Sequence, residues 1–189
     1  AELATVIDKG RISHALVHEA FAEVVHEARA IAPSLTRVMD SATLQKTAQA
    51  LPAGFRFDPV ETAADDPALI AFTSGTTGAP KCITHGAGGT LLQHLKELML
   101  HTDLKRSDRF CYYTTCGWMM WNWMVSGLAT GATLVLYEGS PFYPQADAMF
   151  NLIDDQKITV FGTGAKTISA WQKAGVKPRE SHSMATLKT

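Results

Sequence analysis

ALIAFTSGTTGAPKCITH, residues 68–85, is the stretch whose reading decides the fold. Its first five residues, Ala68 to Phe72, are apolar and long enough for one buried strand. Polar residues then take over: Thr73, Ser74, Gly75, Thr76, Thr77 and Gly78, followed by Ala79, Pro80 and Lys81. Glycine lets a backbone turn with positive φ and approach a ligand with no Cβ in the way, while hydroxyls and free N–H groups offer donors to phosphate oxygens. The composition describes an anion cradle with a cation at its far end.

The order of residues narrows the kinds of cradle. A Walker A loop needs its lysine directly after the last glycine, at a helix start. Here Ala79 and Pro80 intervene, and Pro80 has no N–H to donate. A flavodoxin-type phosphate loop also mixes Thr, Ser and Gly after a strand, and content alone leaves it open; the Pro-Lys ending tells against it. A surface turn without a ligand is the plain structural alternative.

Composition bounds the rest. At 189 residues the chain is long enough for a single domain with a sizeable core. A hydrophobic share of 46%, a charged share of 19% and a net charge of −1 are ordinary for a globular protein. They provide no basic field for nucleic acid. No apolar run reaches membrane-spanning length and the first residues lack a signal peptide's order, so a cytoplasmic protein with no membrane partner is expected. Cys82, Cys111 and Cys116 form no metal-type pair, and an odd number of cysteines argues against a closed disulfide framework. Cys82 is expected to be a small buried thiol. The seven histidines do not cluster at ligand spacing, so no metal site is assigned.

Taken in order, Glu2 to Lys9 reads as a helix, Ile12 to His18 as a strand, Glu19 to Ile31 as an amphipathic helix and Leu35 to Met39 as a second strand. Residues 41–66 read as a connecting segment with a short helix near Leu44 to Ala50, and Asp65 and Asp66 as turn residues. Beyond the cradle, Thr90 caps a helix from Leu91 to Leu100, Arg109 to Thr115 is a strand, and Gly117 to Ala129 a buried helix. Ala132 to Tyr137 is the clearest strand. A helix over Gln145 to Gln156, a strand over Ile158 to Gly162 and a helix over Ala165 to Gly175, with Ile168 and Trp171 on one side, complete the pattern. Residues 177–189 show none. The alternation predicts an α/β fold, a doubly wound and mostly parallel sheet flanked by helices. The organisation is one domain over 1–189: lead-in βα units over 1–67, the phosphate loop at 68–85, βα units over 86–176, then the tail. Ligands of such sheets bind at the carboxyl ends of the strands, where Thr73, Thr115, Glu138 and Gly162 are expected to gather.

The string FTSGTTGAPK resembles the phosphate-loop signature of the adenylate-forming (AMP-binding) superfamily, which includes acyl-CoA synthetases, luciferases and peptide-synthetase adenylation domains. From about residue 82 on, CGWMMWNWMVSGLATGATLVLYEGSPFYP and FGTGAKTISAWQKAGVKP are similar to the acetoacetyl-CoA synthetase branch. ELATVIDKGRISHALVHE and AADDPALIAFTSGTTGAPK look closer to the aryl-CoA branch of aminobenzoate and benzoate ligases. The change of branch falls near Lys81 to His85, which predicts a natural mosaic or a built hybrid. The chain also looks cut rather than completed.

The resemblance implies a large N-terminal ligase domain that activates a carboxylic acid with ATP and Mg²⁺ to acyl-AMP and passes the acyl group to CoA. It puts the ATP phosphates on Thr73, Ser74, Gly75, Thr76, Thr77, Gly78 and Lys81. It lines the acyl pocket with Trp118, Met119 and Met120, and sets Phe142, Gly162 and Gly164 beside CoA. Read residue by residue, the same tryptophans and methionines serve equally as core packing. No adenine string Y-G-x-T-E, no ribose-binding Asp in a T-G-D context and no C-terminal lysine follows, so the isolated chain is expected to lack full activity. A non-catalytic nucleotide- or CoA-binding module and a purely structural module remain open. Surface uncovered by truncation is expected to favour self-association.

Overall fold

The computed structural model describes residues 2–73 and 81–189. Ser74, Gly75, Thr76, Thr77 and Gly78 of the expected phosphate loop lie outside them. The chain divides into two compact units, residues 1–88 and 89–189.

In the first unit, α1 (Glu2–Lys9) places Ala4 and Ile7 against Ala28 and Ala32 at the end of α2 (Ala22–Ile31), with Leu35 closing the cluster. The small side chains let the helices approach closely. Two short strands, β1 (His14–Val17) and β2 (Arg37–Asp40), pair in parallel with His14 opposite Arg37, as a βαβ unit requires. Asp40 then caps α3 (Ser41–Gln49), accepting from the Thr43 N–H at 2.7 Å and the Thr43 hydroxyl at 2.6 Å. These bonds, the hydroxyl's first, hold its carboxyl below the usual 3.8. Asp66 is the turn residue its sequence suggests: its carboxylate accepts from the Ala63 N–H at 2.8 Å.

The decisive stretch folds differently from its reading. β3 (Pro67–Thr73) pairs antiparallel with β4 (Lys81–Gly86), a strand where the sequence reading runs the loop on to His85. Nor is β3 buried: Ile70 is 39% exposed and Ile83, on β4, 44%. Cys82 is exposed as well, against the expectation of a buried thiol.

The second unit is built on a parallel sheet ordered β6 (Thr133–Leu134), β5 (Arg109–Tyr112), β7 (Val160–Gly162). Side chains alternate across a strand, and β5 shows it cleanly. Phe110 packs on one face with Leu98, Leu104, Met124, Ala132 and Val160. Cys111 faces the other way, into a cluster with Val135, Met149, Phe150, Ile153, Ile158 and Trp171. Burial raises the Cys111 thiol to about 11, so it stays a neutral core group. The first face is covered by α5 (Met119–Val125) and the turns around it, the second by α6 (Ala148–Asp155) and α7 (Ala165–Lys173). Helices on both faces of parallel strands are the α/β class the alternation predicts.

Several boundaries move. α4 (Ala87–Leu95) begins four residues before the expected start at Leu91, so Thr90 is inside the helix rather than its cap, and it continues as a wider turn over Lys96–His101 closed by Thr102 N–H on the Glu97 carbonyl at 2.9 Å. α5 is shorter than read and only partly buried, with Trp118 64% and Met119 63% exposed. Of ATLVLY only Thr133 and Leu134 join the sheet ladder, although the Val135 N–H still reaches the Phe110 carbonyl at 2.8 Å. Trp171 is buried, but Ile168 is not. The patternless tail is ordered: it forms α8 (Pro178–Ser181), packs Met184 and Leu187 on the second core cluster, and lies along β7, with Phe161 N–H donating to the Thr189 carbonyl at 2.8 Å.

Candidate functional site

At the mouth of the β3–β4 hairpin, Thr73 and Lys81 are Cα partners. The hairpin ladder thus returns Lys81 beside the residue that opens the signature, and Lys81 is exposed there.

In the second unit, β5 runs on into Tyr113, Thr114, Thr115 and Cys116, and the chain after β6 continues through Leu136, Tyr137, Glu138 and Gly139. These residues and Trp121 line an open cavity of about 600 Å³ at the carboxyl ends of the two strands. Its walls are fixed by backbone bonds. Tyr113 N–H donates to the Gly162 carbonyl at 2.8 Å, the Tyr113 hydroxyl to the Gly139 carbonyl at 3.3 Å, and the Tyr137 hydroxyl to the Ser140 carbonyl at 3.0 Å. Gly139, at φ 135°, has a backbone that side-chain-bearing residues rarely adopt. Thr115 and Glu138 therefore meet as expected; Gly162 adjoins through Tyr113 but does not line the cavity. Thr73 belongs to the other unit.

A second cavity of about 360 Å³ is lined by Gln93, His94, Glu97, Met119, Met120 and Trp123. The methionines and Trp123 form an apolar wall. Trp123 is pinned edge-on to Phe110 and Tyr112, with ring centres 5.4 and 5.9 Å away. The opposite wall is polar. Gln93 Nε2 donates to Glu97 Oε1 at 3.0 Å and Lys96 Nζ lies 3.1 Å from the same oxygen. The Lys96 bond leads the effects that hold the Glu97 carboxyl below 4.5. The Ser126 hydroxyl donates to the Asn122 carbonyl at 3.0 Å, so His94 Nδ1, 2.9 Å from Ser126 Oγ, supplies the proton of that bond.

Of the expected acyl-pocket residues, Met119 and Met120 share this cavity, whereas Trp118 lies outside its lining. Trp118 instead opens α5, accepting at its carbonyl from Trp121 N–H at 3.0 Å. Phe142 is 37% exposed and stands 6.2 Å from the Trp171 ring. Gly162 ends β7 with its Cα close over the Tyr112 ring, where any Cβ would collide, and Gly164 caps α7 in extended conformation. Between them, the Thr163 hydroxyl is buried with no partner among the described residues. Sequence reasoning missed Gln93, Glu97, Tyr113, Tyr137 and Trp121. The signal for Gln93 and Glu97 was their i, i+4 spacing; for Tyr113 and Tyr137 it was position just past a strand end. Among the described residues no group of three His, Cys, Asp or Glu is arranged to hold a metal ion, and no helix is long and apolar enough to cross a membrane.

The profile of the AMP-binding enzyme family matches residues 1–189. The chain belongs to the AMP-binding enzyme family. Within that family it is 58% identical over 123 residues to acetoacetyl-CoA synthetase of Mus musculus, an alignment covering 65% of this chain and 18% of that protein. Malonamoyl-CoA synthetase of Penicillium aethiopicum is 51% identical over 130 residues, with 64% of this chain and 18% of that protein covered. The solved acetoacetyl-CoA synthetase from Streptomyces lividans superposes with a TM-score of 0.77 at 32% identity, over 99% of this chain and 32% of that one. This family member thus spans about a fifth of the length of the curated relatives it matches.

Proposed function

We propose that this AMP-binding family member forms part of an acid–thiol ligase. Its reaction is ATP-dependent activation of a short carboxylic acid to acyl-AMP, followed by transfer to CoA. The observation that carries the reading is the string FTSGTTGAPK, of which Thr73 and Lys81 are Cα partners across β3 and β4. Thr73, Ser74, Gly75, Thr76, Thr77, Gly78 and Lys81 are assigned to the ATP phosphates. Pre-aimed donors stabilise the charge that builds on them during attack at the α-phosphorus. Mg²⁺ would arrive on those phosphates, since this hard cation is usually bound by substrate phosphates and one or two carboxylates.

The acid is assigned to the cavity of Met119 and Met120, with Trp118 their neighbour in the chain. Phe142, Gly162 and Gly164 are assigned to the CoA side. The substrate class is supported by the relatives' names. Acetoacetyl and malonamoyl groups both carry a neutral carbonyl at C3 and differ only in a terminal methyl or amide nitrogen. The test is pyrophosphate exchange into ATP by the full chain. We expect exchange that depends on acetoacetate and falls by about a hundredfold in Lys81→Ala, in line with loss of a charged transition-state contact. Exchange without any acid, or insensitive to Lys81, contradicts the reading.

A second reading concerns the chain's composition from two ligase branches. The family profile takes in the whole chain, whereas the curated acetoacetyl-CoA synthetase match takes in 65% of it. The remaining third of the chain lies outside that match, in keeping with a second branch of origin. A single full-length relative matching residues 1–67 and 86–189 equally well would contradict it. A nucleotide- or CoA-binding module without turnover would bind ATP yet show no acid-dependent exchange.

A further inference from the structure

We infer that Gln93 and Glu97 select the acid: the Gln93 amide donates to a neutral carbonyl at C3, and the Glu97 carboxylate excludes acids that carry a second negative charge there. The inference rests on the ligase reading above and narrows it to one wall of one cavity.

Met119 and Met120 give the cavity an apolar side on which the Trp123 indole N–H is the one donor. The other polar groups of the lining stand on the α4 side, in Gln93, His94 and Glu97. A carboxylate only accepts, so the 3.0 Å contact with Glu97 Oε1 fixes the Gln93 amide with its nitrogen toward Glu97. That bond uses one of two amide hydrogens and leaves the second as a donor. Lys96 also binds Oε1, so Oε2 has no partner among the described residues, and Lys96 does not line the cavity. The wall thus offers one neutral donor beside a carboxylate oxygen that Lys96 does not touch. A ketone or carboxamide oxygen satisfies the donor. A second carboxylate meets the like charge of Glu97 and is disfavoured. A plain alkyl acid leaves the donor unanswered.

The experiment measures acid-dependent pyrophosphate exchange by the full chain, wild type, Gln93→Leu and Glu97→Gln, with acetoacetate, butyrate and malonate. We expect the wild type to prefer acetoacetate over both other acids. Gln93→Leu should reduce the acetoacetate-to-butyrate ratio of kcat/KM by about tenfold, the worth of one hydrogen bond. Glu97→Gln should raise malonate relative to butyrate by at least about tenfold. A gain of malonate use cannot come from structural damage. Both ratios staying within about twofold of wild type overturns the inference while leaving the ligase reading intact. A wild type that exchanges with none of the acids overturns both.

Discussion

Asp108 precedes β5 and is 1% exposed. Burial alone would raise its pKa, but Lys188 Nζ at 2.6 Å, the Thr159 hydroxyl at 2.8 Å and the Lys105 N–H at 2.8 Å outweigh it and hold the carboxyl below 3.8. A depressed folded pKa stabilises the fold above the unfolded value of about 3.9, and that contribution is lost as pH falls through the folded pKa. We expect Lys188→Met to cost about 1–2 kcal/mol near neutrality, discounted for a lysine side chain that is half exposed, and less below the folded pKa. Urea unfolding in a series from pH 7 into the acid range checks both statements. At Gly162 a methyl would collide with the Tyr112 ring, which is held edge-on by Trp123. Gly162→Ala is expected to destabilise by about 1–3 kcal/mol, read in the same unfolding curves.

At the scale of elements, α6 shows what the sequence makes legible. Met149 and Ile153, four apart, are both fully buried against the sheet face of Cys111 and Ile158. We expect Ile153→Ala to cost about 2–4 kcal/mol by lost transfer and an unfilled cavity, measured as a shifted urea midpoint. The helix stripe and the bounds of α1 follow from local periodicity, and local periodicity can be read. β4 was missed because KCITHG is exposed on a two-stranded hairpin and has no buried stripe to display. ATLVLY has strand composition throughout, but its pairing with β5 ends where Phe110 faces Leu134. The tail is held by long-range contacts, among them Met184 and Leu187 on the Cys111 cluster and Lys188 on Asp108 across 80 residues, pairings that no local window contains.

For the whole molecule, the phosphate signature identified the family because ten ordered positions encode a chemistry, and that chemistry does not depend on where the strands fall. Helices on both faces of a parallel sheet followed from alternation alone. The proposed acid site was only half legible. Met119 and Met120 lie in one string, but their polar counterpart comes from Gln93 and Glu97 more than twenty residues earlier, and only folding joins the two walls. The central claim concerns phosphate binding by the signature. It is tested most directly by calorimetric titration of the purified chain with ATP and Mg²⁺, beside Lys81→Ala. The account expects saturable binding by the wild type and a Kd raised at least about tenfold by the substitution, the scale of one charge-assisted contact. No heat of binding by a well-folded wild type, or equal affinity in both proteins, contradicts it.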